Sequence, residues 1–398
     1  MRTRTFLACA LALVLFTPSC KENEKPEIPI LAWYSIPEGE FATLERYQEL
    51  KDAGFTVSFS HTQTFEGAMK ALDLCAEVGL KSVFTCPELE SDPEETVRKV
   101  MNHPGLGYYF LRDEPWNDAM APLGEWARKI EAVDTAHPCY LNLFPYHLGG
   151  FPSAEAYEEH IRLFSETVSL PQISYDHYPI NEYDGETRLN DLYYANLEMI
   201  SAEARRTGKP FWAFALATAH MHYPIPTTGH LKLQMYSDLA YGAQCLQYFT
   251  YWNPGTTTWD FHEAPIKADG QRSPAYEIIR DFNKEIQNRA EVFVGCKVKK
   301  VSHIGEVIPE GTTHLGELPE GFTSIDSMGK GALISEIANG KKNYVLIQNT
   351  SPSEPIDICL GFNENVFMVR RDGTDVKASK YGPLFVLPAG DVLVFEIR

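Results

Sequence analysis

Basic residues are scarce in this chain. Lysine and arginine number 35 against 54 aspartates and glutamates, a formal net charge of −19 over 398 residues. Such a surface repels polyanions, which excludes nucleic acid and leaves little to hold an anionic membrane face. A neutral or cationic ligand suits it. The common metal and nucleophile signatures are also missing. The eight cysteines form no CxxC pair and no zinc spacing, and no HExxH helix motif occurs. No GxSxG elbow is present, which argues against an α/β-hydrolase esterase. No glycine-rich phosphate loop follows the first strand-like run, which disfavours a doubly wound nucleotide-binding sheet. Nothing calls for a cofactor or a metal. Beyond the N-terminus no apolar run is long enough to span a bilayer.

What is present begins with an export signal. Arg2 and Arg4 precede an apolar run that ends in small residues before Cys20. The run is too short for a membrane span and fits a signal peptide over residues 1–20. Its end resembles the lipobox of bacterial lipoproteins, which implies lipidation of Cys20 and a membrane contact through that anchor alone. Lys21-Glu22-Asn23-Glu24 resembles the charged surface-export tag of Bacteroidetes lipoproteins, within a tether at 21–27. The expected location is the outer membrane, cell surface or periplasm. The remaining cysteines lie mostly in apolar runs, where the thiol behaves as a small buried hydrophobe, so few or no disulfides are expected.

Residues 28–295 alternate short apolar strands with amphipathic helices. The strands read as Ile28–Ile36, Thr56–His61, Lys81–Cys86, Gly107–Glu114, Tyr140–Phe144, Gln172–Tyr178, Phe211–Thr218 and Leu246–Trp252. Gly54, Gly79, Gly105 and Gly208 stand where a left-handed residue would close the preceding helix. Proline follows the strands, as in Cys86-Pro87, Glu114-Pro115 and Tyr178-Pro179, and stops each ladder. The pattern predicts a (β/α)₈ TIM barrel. Residues 296–398 change to strand-length runs with turns at Asn339-Gly340 and Asp372-Gly373, which predicts a small β-sandwich.

In a (β/α)₈ barrel, chemistry sits at the C-terminal strand ends. Those ends collect Trp33, Tyr34, His61, Glu88, Asp113, Glu114, Asn142, Asp176, His177, Tyr178, Trp212, His220, Gln247, Tyr251 and Trp252. Aromatic planes can stack on sugar faces while carboxylates, amides and imidazoles bond to hydroxyls. The histidines fit sugar contact or structure better than metal ligation. The expected partner is therefore a carbohydrate.

The segment Phe110-Leu111-Arg112-Asp113-Glu114-Pro115-Trp116 resembles the fourth strand of clan A glycoside hydrolases, especially those similar to family 42. Gln271–Ile286 resembles the last helix region of those barrels, and Leu387–Phe395 the closing strand of the sandwich that follows many of them. The resemblance implies that Glu114 is the general acid/base, with Asp113 where the clan usually has asparagine. That clan also places a second carboxylate on strand seven. Here Phe211–His220 contains no acid. Asp176 is the best substitute, with Glu88, Asp260 and Glu263 in reserve. The leading expectation is a glycoside hydrolase, and the alternative is a non-catalytic glycan-binding lipoprotein on a degenerate barrel.

Overall fold

A computed structural model describes residues 25–148, 150–255, 259–380 and 382–398. The expected signal peptide, Cys20 and the start of the expected tether lie outside the described residues. Strands β1 (Ile30–Trp33), β2 (Val57–Ser58), β3 (Lys81–Phe84), β4 (Leu106–Asp113), β5 (Cys139–Leu143) and β6 (Ile173–Tyr175) follow one another with helices between them. A hairpin of β7 (Ile180–Tyr183) and β8 (Glu186–Leu189) interrupts the series, which resumes with β9 (Phe211–Leu216) and β10 (Cys245–Phe249). All of these except the hairpin close into one parallel barrel, in the order β1-β10-β9-β6-β5-β4-β3-β2.

The observed strands are shorter than their apolar runs. Beyond Ser58, for example, the chain leaves the regular ladder but still bonds, Phe59 N–H to the Ala32 carbonyl at 2.9 Å. The strand ends, still bonded to one another, ring the mouth of the barrel. Below it the barrel interior is filled by rings: Trp33, Phe59, Phe110, Tyr140, Trp212 and Phe214 belong to one buried cluster. Interior positions of so small a barrel are packed core, and bulky rings pack it here.

Helix ends follow local chemistry. Thr64 caps the helix Phe65–Val78 by accepting the Gly67 N–H at 2.9 Å. Gly79 closes the same helix at φ 74°, where a Cβ would be strained. Gly105 has a different reason from the one its position suggested. Its φ is not left-handed, but a Cβ there would sit 2.1 Å from the Leu72 carbonyl oxygen, so close packing requires the glycine.

The C-terminal domain stacks two antiparallel sheets. One has the order β11 (Lys297–Ile304), β13 (Ala332–Asn339), β14 (Lys342–Asn349), β19 (Val392–Ile397), β16 (Val366–Val369) and β17 (Asp375–Lys377). The other has β12 (Phe322–Asp326), β15 (Ile356–Phe362) and β18 (Leu384–Leu387). Phe322, Ile334, Val345, Ile358, Phe362 and Phe395 fill the space between. Gly340 and Gly373 take φ values of 59° and 80° in the turns joining β13 to β14 and β16 to β17.

The sandwich docks on the barrel helix Thr228–Tyr241, which is buried along almost its whole length. Lys232 Nζ, 6 % exposed, lies 3.0 Å from Glu285 and 3.1 Å from Asp391, which Arg371 also engages. Tyr236 donates to Glu285 at 2.7 Å, and Gln348 of β14 donates to the Leu233 carbonyl at 2.9 Å. Removing one member of such a cluster strands a buried charge. Lys232→Met is accordingly expected to cost about 3–5 kcal/mol of stability, measured by urea unfolding. A loss within experimental error would mean that water already solvates these groups.

Candidate active site

The barrel mouth is built around the end of β4. A register shift between Phe110 and Arg112 adds a residue to β4 relative to β5, which re-aims the side chains that follow. Glu114 then takes φ 44° while its N–H donates to the Asn142 carbonyl at 2.9 Å. Successive strand residues ordinarily face opposite ways. The left-handed turn at Glu114 brings its carboxyl back to the side of Asp113, and each of the two interacts electrostatically with its surroundings in the same cleft. A non-glycine residue at positive φ is a local strain of the kind found at functional sites.

Asp176, one residue beyond β6, completes a group of three carboxylates with Asp113 and Glu114. Asn142 on β5 holds two of them. Its Nδ2 donates to Asp176 Oδ1 at 2.9 Å and to Asp113 Oδ1 at 3.3 Å. Behind Asn142 runs a chain of bonds in one direction. Tyr140 OH donates to Gln247 Oε1 at 2.6 Å, Gln247 Nε2 to Ser174 Oγ at 2.9 Å, and Ser174 Oγ to Asn142 Oδ1 at 2.9 Å. This chain fixes the Asn142 amide with its donors toward the acids, and such chains strengthen cooperatively.

Crowding and burial raise the acids together. Glu114 is held well above the carboxylate range, first by desolvation and then by the charges of Asp176 and Asp113. Desolvation and the Asp113 charge likewise raise Asp176, against hydrogen bonds from Asn142 and Tyr178 that lower it. Asp113 is open to water at the mouth but enclosed by protein on its other sides, and this enclosure lifts its carboxyl to about 6. Glu114 is therefore the group that keeps a proton at neutral pH.

Rings wall the acids. Phe249, the last residue of β10, lies 5.8 Å from Tyr34 and 5.7 Å from Tyr178, and Tyr223 stands edge-on to Tyr178 at 5.9 Å. His61 adjoins Tyr34 at 5.6 Å. Beside them a hollow of about 700 Å³ opens between Tyr34, His61, Trp252 and Asn253. Trp116, 53 % exposed, lies over Phe144 at 4.7 Å and offers a flat face to solvent on the rim.

Several residues expected at the mouth lie elsewhere. Trp33 and Trp212 are plug residues. Trp212 is the second residue of β9, paired with Cys245 and Ser174 deep in the barrel. Gln247 is fully buried and serves the relay, and Asn142 spends its amide hydrogens on the acids. His177 faces outward and bonds Asn196 at 2.9 Å, because its neighbour Asp176 takes the inward direction. Tyr251 also faces outward, against Phe55 at 5.3 Å. Trp252 packs on Phe41 at 4.9 Å and borders the hollow. Glu88 is exposed in the first turn of a short helix, where it interacts with the Cys86 thiol. Asp260 accepts the Met221 N–H at 3.0 Å, and Glu263 sits in the same loop at φ 53°. His220 is buried against Phe261 at 4.6 Å. The sequence reading missed Phe249 and Tyr223. Phe249 was legible as an inward position on the last strand, whereas Tyr223 comes from an aperiodic loop.

Residues 156–289 match the family model of glycoside hydrolase family 42, described as beta-galactosidase. The solved beta-galactosidase of Bacillus circulans sp. alkalophilus resembles the chain with a TM-score of 0.61 and 9% identity, covering 94% of this chain and 99% of that one. An alpha-amylase of Anoxybacillus gives a TM-score of 0.50 at 9% identity, over 95% and 99% of the two chains. At these identities the two structures speak for the fold: a (β/α)₈ barrel with a following all-β domain. No curated protein matches the sequence. The fold and the match over residues 156–289 both make the chain similar to glycoside hydrolases. Within that class the chain is similar to family 42, over a stretch that contains Asp176 and stops short of Glu114.

The raised carboxyl of Glu114 has a stability signature. Below its ordinary value of 4.5 both folded and unfolded states hold the proton. Above that value the unfolded chain gives it up first, so this group subtracts stability as pH rises. Glu114→Gln is expected to gain at least about 1 kcal/mol relative to the wild type between about pH 4 and pH 8. Parallel thermal melts across that range check it, and a pH-independent difference would refute the raised carboxyl.

Proposed function

We propose that the protein hydrolyses O-glycosidic bonds with Glu114 as general acid and then base, and with Asp176 as the second carboxylate of the site. The observation that carries the reading is the convergence of Asp113, Glu114 and Asp176 at the ends of β4 and β6, where Asn142 bridges Asp113 and Asp176. A general acid must hold a proton at neutral pH, and burial beside negative neighbours supplies that condition to Glu114. Asp176, 6 % exposed, is suited to hold the Glu114 proton through its charge. The ring wall of Tyr34, Phe249, Tyr178 and Tyr223 gives a sugar flat apolar surfaces, and Trp116 extends them outward.

Glu114→Gln should lower kcat/KM on aryl glycosides by about 10²–10⁴-fold. Asp176→Asn removes a negative neighbour, so the Glu114 carboxyl falls and the basic limb of the pH profile moves to lower pH. An unmoved limb would separate Asp176 from the proton on Glu114. The second reading, a glycan-binding protein without turnover, is favoured by one observation: Leu216-Ala217-Thr218-Ala219 at the end of β9 contains no acid. Release of reducing sugar from a bound glycan discriminates between the two.

The N-terminal segment adds a location. We infer an exported lipoprotein anchored through Cys20, from the basic residues, apolar run and cysteine at its start. Cys20→Ala is expected to abolish incorporation of labelled palmitate and to move the protein from the detergent phase to the aqueous phase. Unchanged partitioning would remove the anchor.

A further inference from the structure

A glycosidase that works through a covalent enzyme intermediate needs a nucleophile on the face of the sugar opposite the acid. None of the three acids meets that need. Asp113 is next to Glu114 in the chain and shares its strand end, so the two approach a sugar from the same side. Asp176 is 6 % exposed and already accepts hydrogen bonds from Asn142 and Tyr178. The end of β9 offers Leu216, Ala217 and Thr218. Among the described residues the ends of β4, β6 and β9 thus supply a proton donor and a spare carboxylate beside it but no free attacking group.

The spare carboxylate is specific in its placement. Asp113 takes one long bond from Asn142, 3.3 Å, and is otherwise open to the cleft. It can accept a hydrogen bond from a substituent on the sugar carbon next to the reacting one. The rings of Tyr34, Phe249 and Tyr178 stand together, Phe249 flanked at 5.8 and 5.7 Å, with Asp113 close enough to act on both tyrosines, so ring faces border the carboxylate. A carboxylate acceptor beside ring faces matches an acetamido group, whose N–H donates and whose methyl must be buried.

We propose that the substrate is a β-linked 2-acetamido-2-deoxy sugar whose own amide oxygen is the nucleophile, oriented by Asp113. This inference rests on the glycosidase reading above and names its substrate class. In the first step the glycosidic C1–O bond breaks, and its electron pair passes to the leaving oxygen, which takes the Glu114 proton. The amide carbonyl oxygen bonds to C1 from the opposite face, giving an oxazolinium whose N–H is held by the Asp113 carboxylate. Water then attacks C1 and yields its proton to Glu114. The bond from C1 to the amide oxygen breaks as the electron pair returns to the acetamide. Two inversions retain the β configuration, and water is the sole co-reactant.

The test compares three series of aryl β-glycosides in both gluco and galacto configurations: 2-hydroxy, 2-acetamido and 2-trifluoroacetamido. The wild-type protein should cut the acetamido series, slow progressively as fluorine withdraws electrons from the amide oxygen, and bind the corresponding sugar thiazoline. Asp113→Asn should lower kcat on the acetamido series by about 10²–10³-fold while KM for it changes little. Equal rates on 2-hydroxy and 2-acetamido sugars with no fluorine effect would overturn the proposal yet leave Glu114 as the acid of a glycosidase. Covalent trapping of a 2-fluoro sugar on Asp176 would do the same. Failure to cut any series, together with failure to bind the thiazoline, would overturn both readings.

Discussion

Like charges confined in an enclosed cleft repel, and the architecture of this protein is arranged to hold three carboxylates together against that repulsion. Glu114 and Asp176 lie in low-dielectric surroundings, and Asp113, open to water at the mouth, adds its charge to both. Among the described residues no lysine or arginine pairs with them. The strain is resolved through protonation, since a shared proton costs less than a second bare charge in such a site. A carboxyl that keeps its proton at neutral pH is what acid-assisted bond cleavage requires. The group's instability and its chemistry have one cause.

Holding such a group in place demands a rigid support, and the barrel interior supplies it. The ring cluster of Trp33, Phe59, Phe110, Tyr140, Trp212 and Phe214 packs the interior beneath the strand ends. From within that plug Tyr140 starts the bond chain through Gln247 and Ser174 to Asn142, which delivers its donors to two acids. Residues without access to solvent thereby determine where the accessible carboxylates sit. Gln247 and Asn142 serve the site at one remove, by fixing geometry.

The sequence made the frame legible because prolines and glycines punctuate it at fixed structural points. Proline after Glu114 and Tyr178 marks strand ends, and all eight barrel strands fall within or against the apolar runs read for them. Height along a strand was harder to read. A period of two assigns a side chain to a face but does not say how far it lies from the mouth, so Trp212 looked like a rim residue and is a plug residue. The same period was under-used at Asp176-His177, where the inward direction of one residue dictates the outward direction of the next. Tyr223 escaped because its loop has no periodicity, and its place beside the acids depends on contacts far away in sequence. The outcome at Glu114 was partly legible: the Asp-Glu-Pro run put its carboxyl at a strand end, while its left-handed backbone and the company of Asp113 needed three dimensions.

The C-terminal domain holds several barrel helices, and one of them ties it to this machinery. Thr228–Tyr241 carries Gln234, whose Oε1 accepts the Leu216 N–H at 2.9 Å and so fixes the end of β9 where the strand leaves the ladder. Two residues earlier on the same helix, Lys232 is gripped by Glu285 and Asp391, and Gln348 of the sandwich bonds the Lys232 and Leu233 carbonyls. The buried ion cluster and the mouth of the barrel are therefore attached to the same turn of one helix. A sandwich far from the acids contributes to their geometry because loosening its joint would release the helix that pins β9. This gives a physical reason for a (β/α)₈ barrel to keep a second domain.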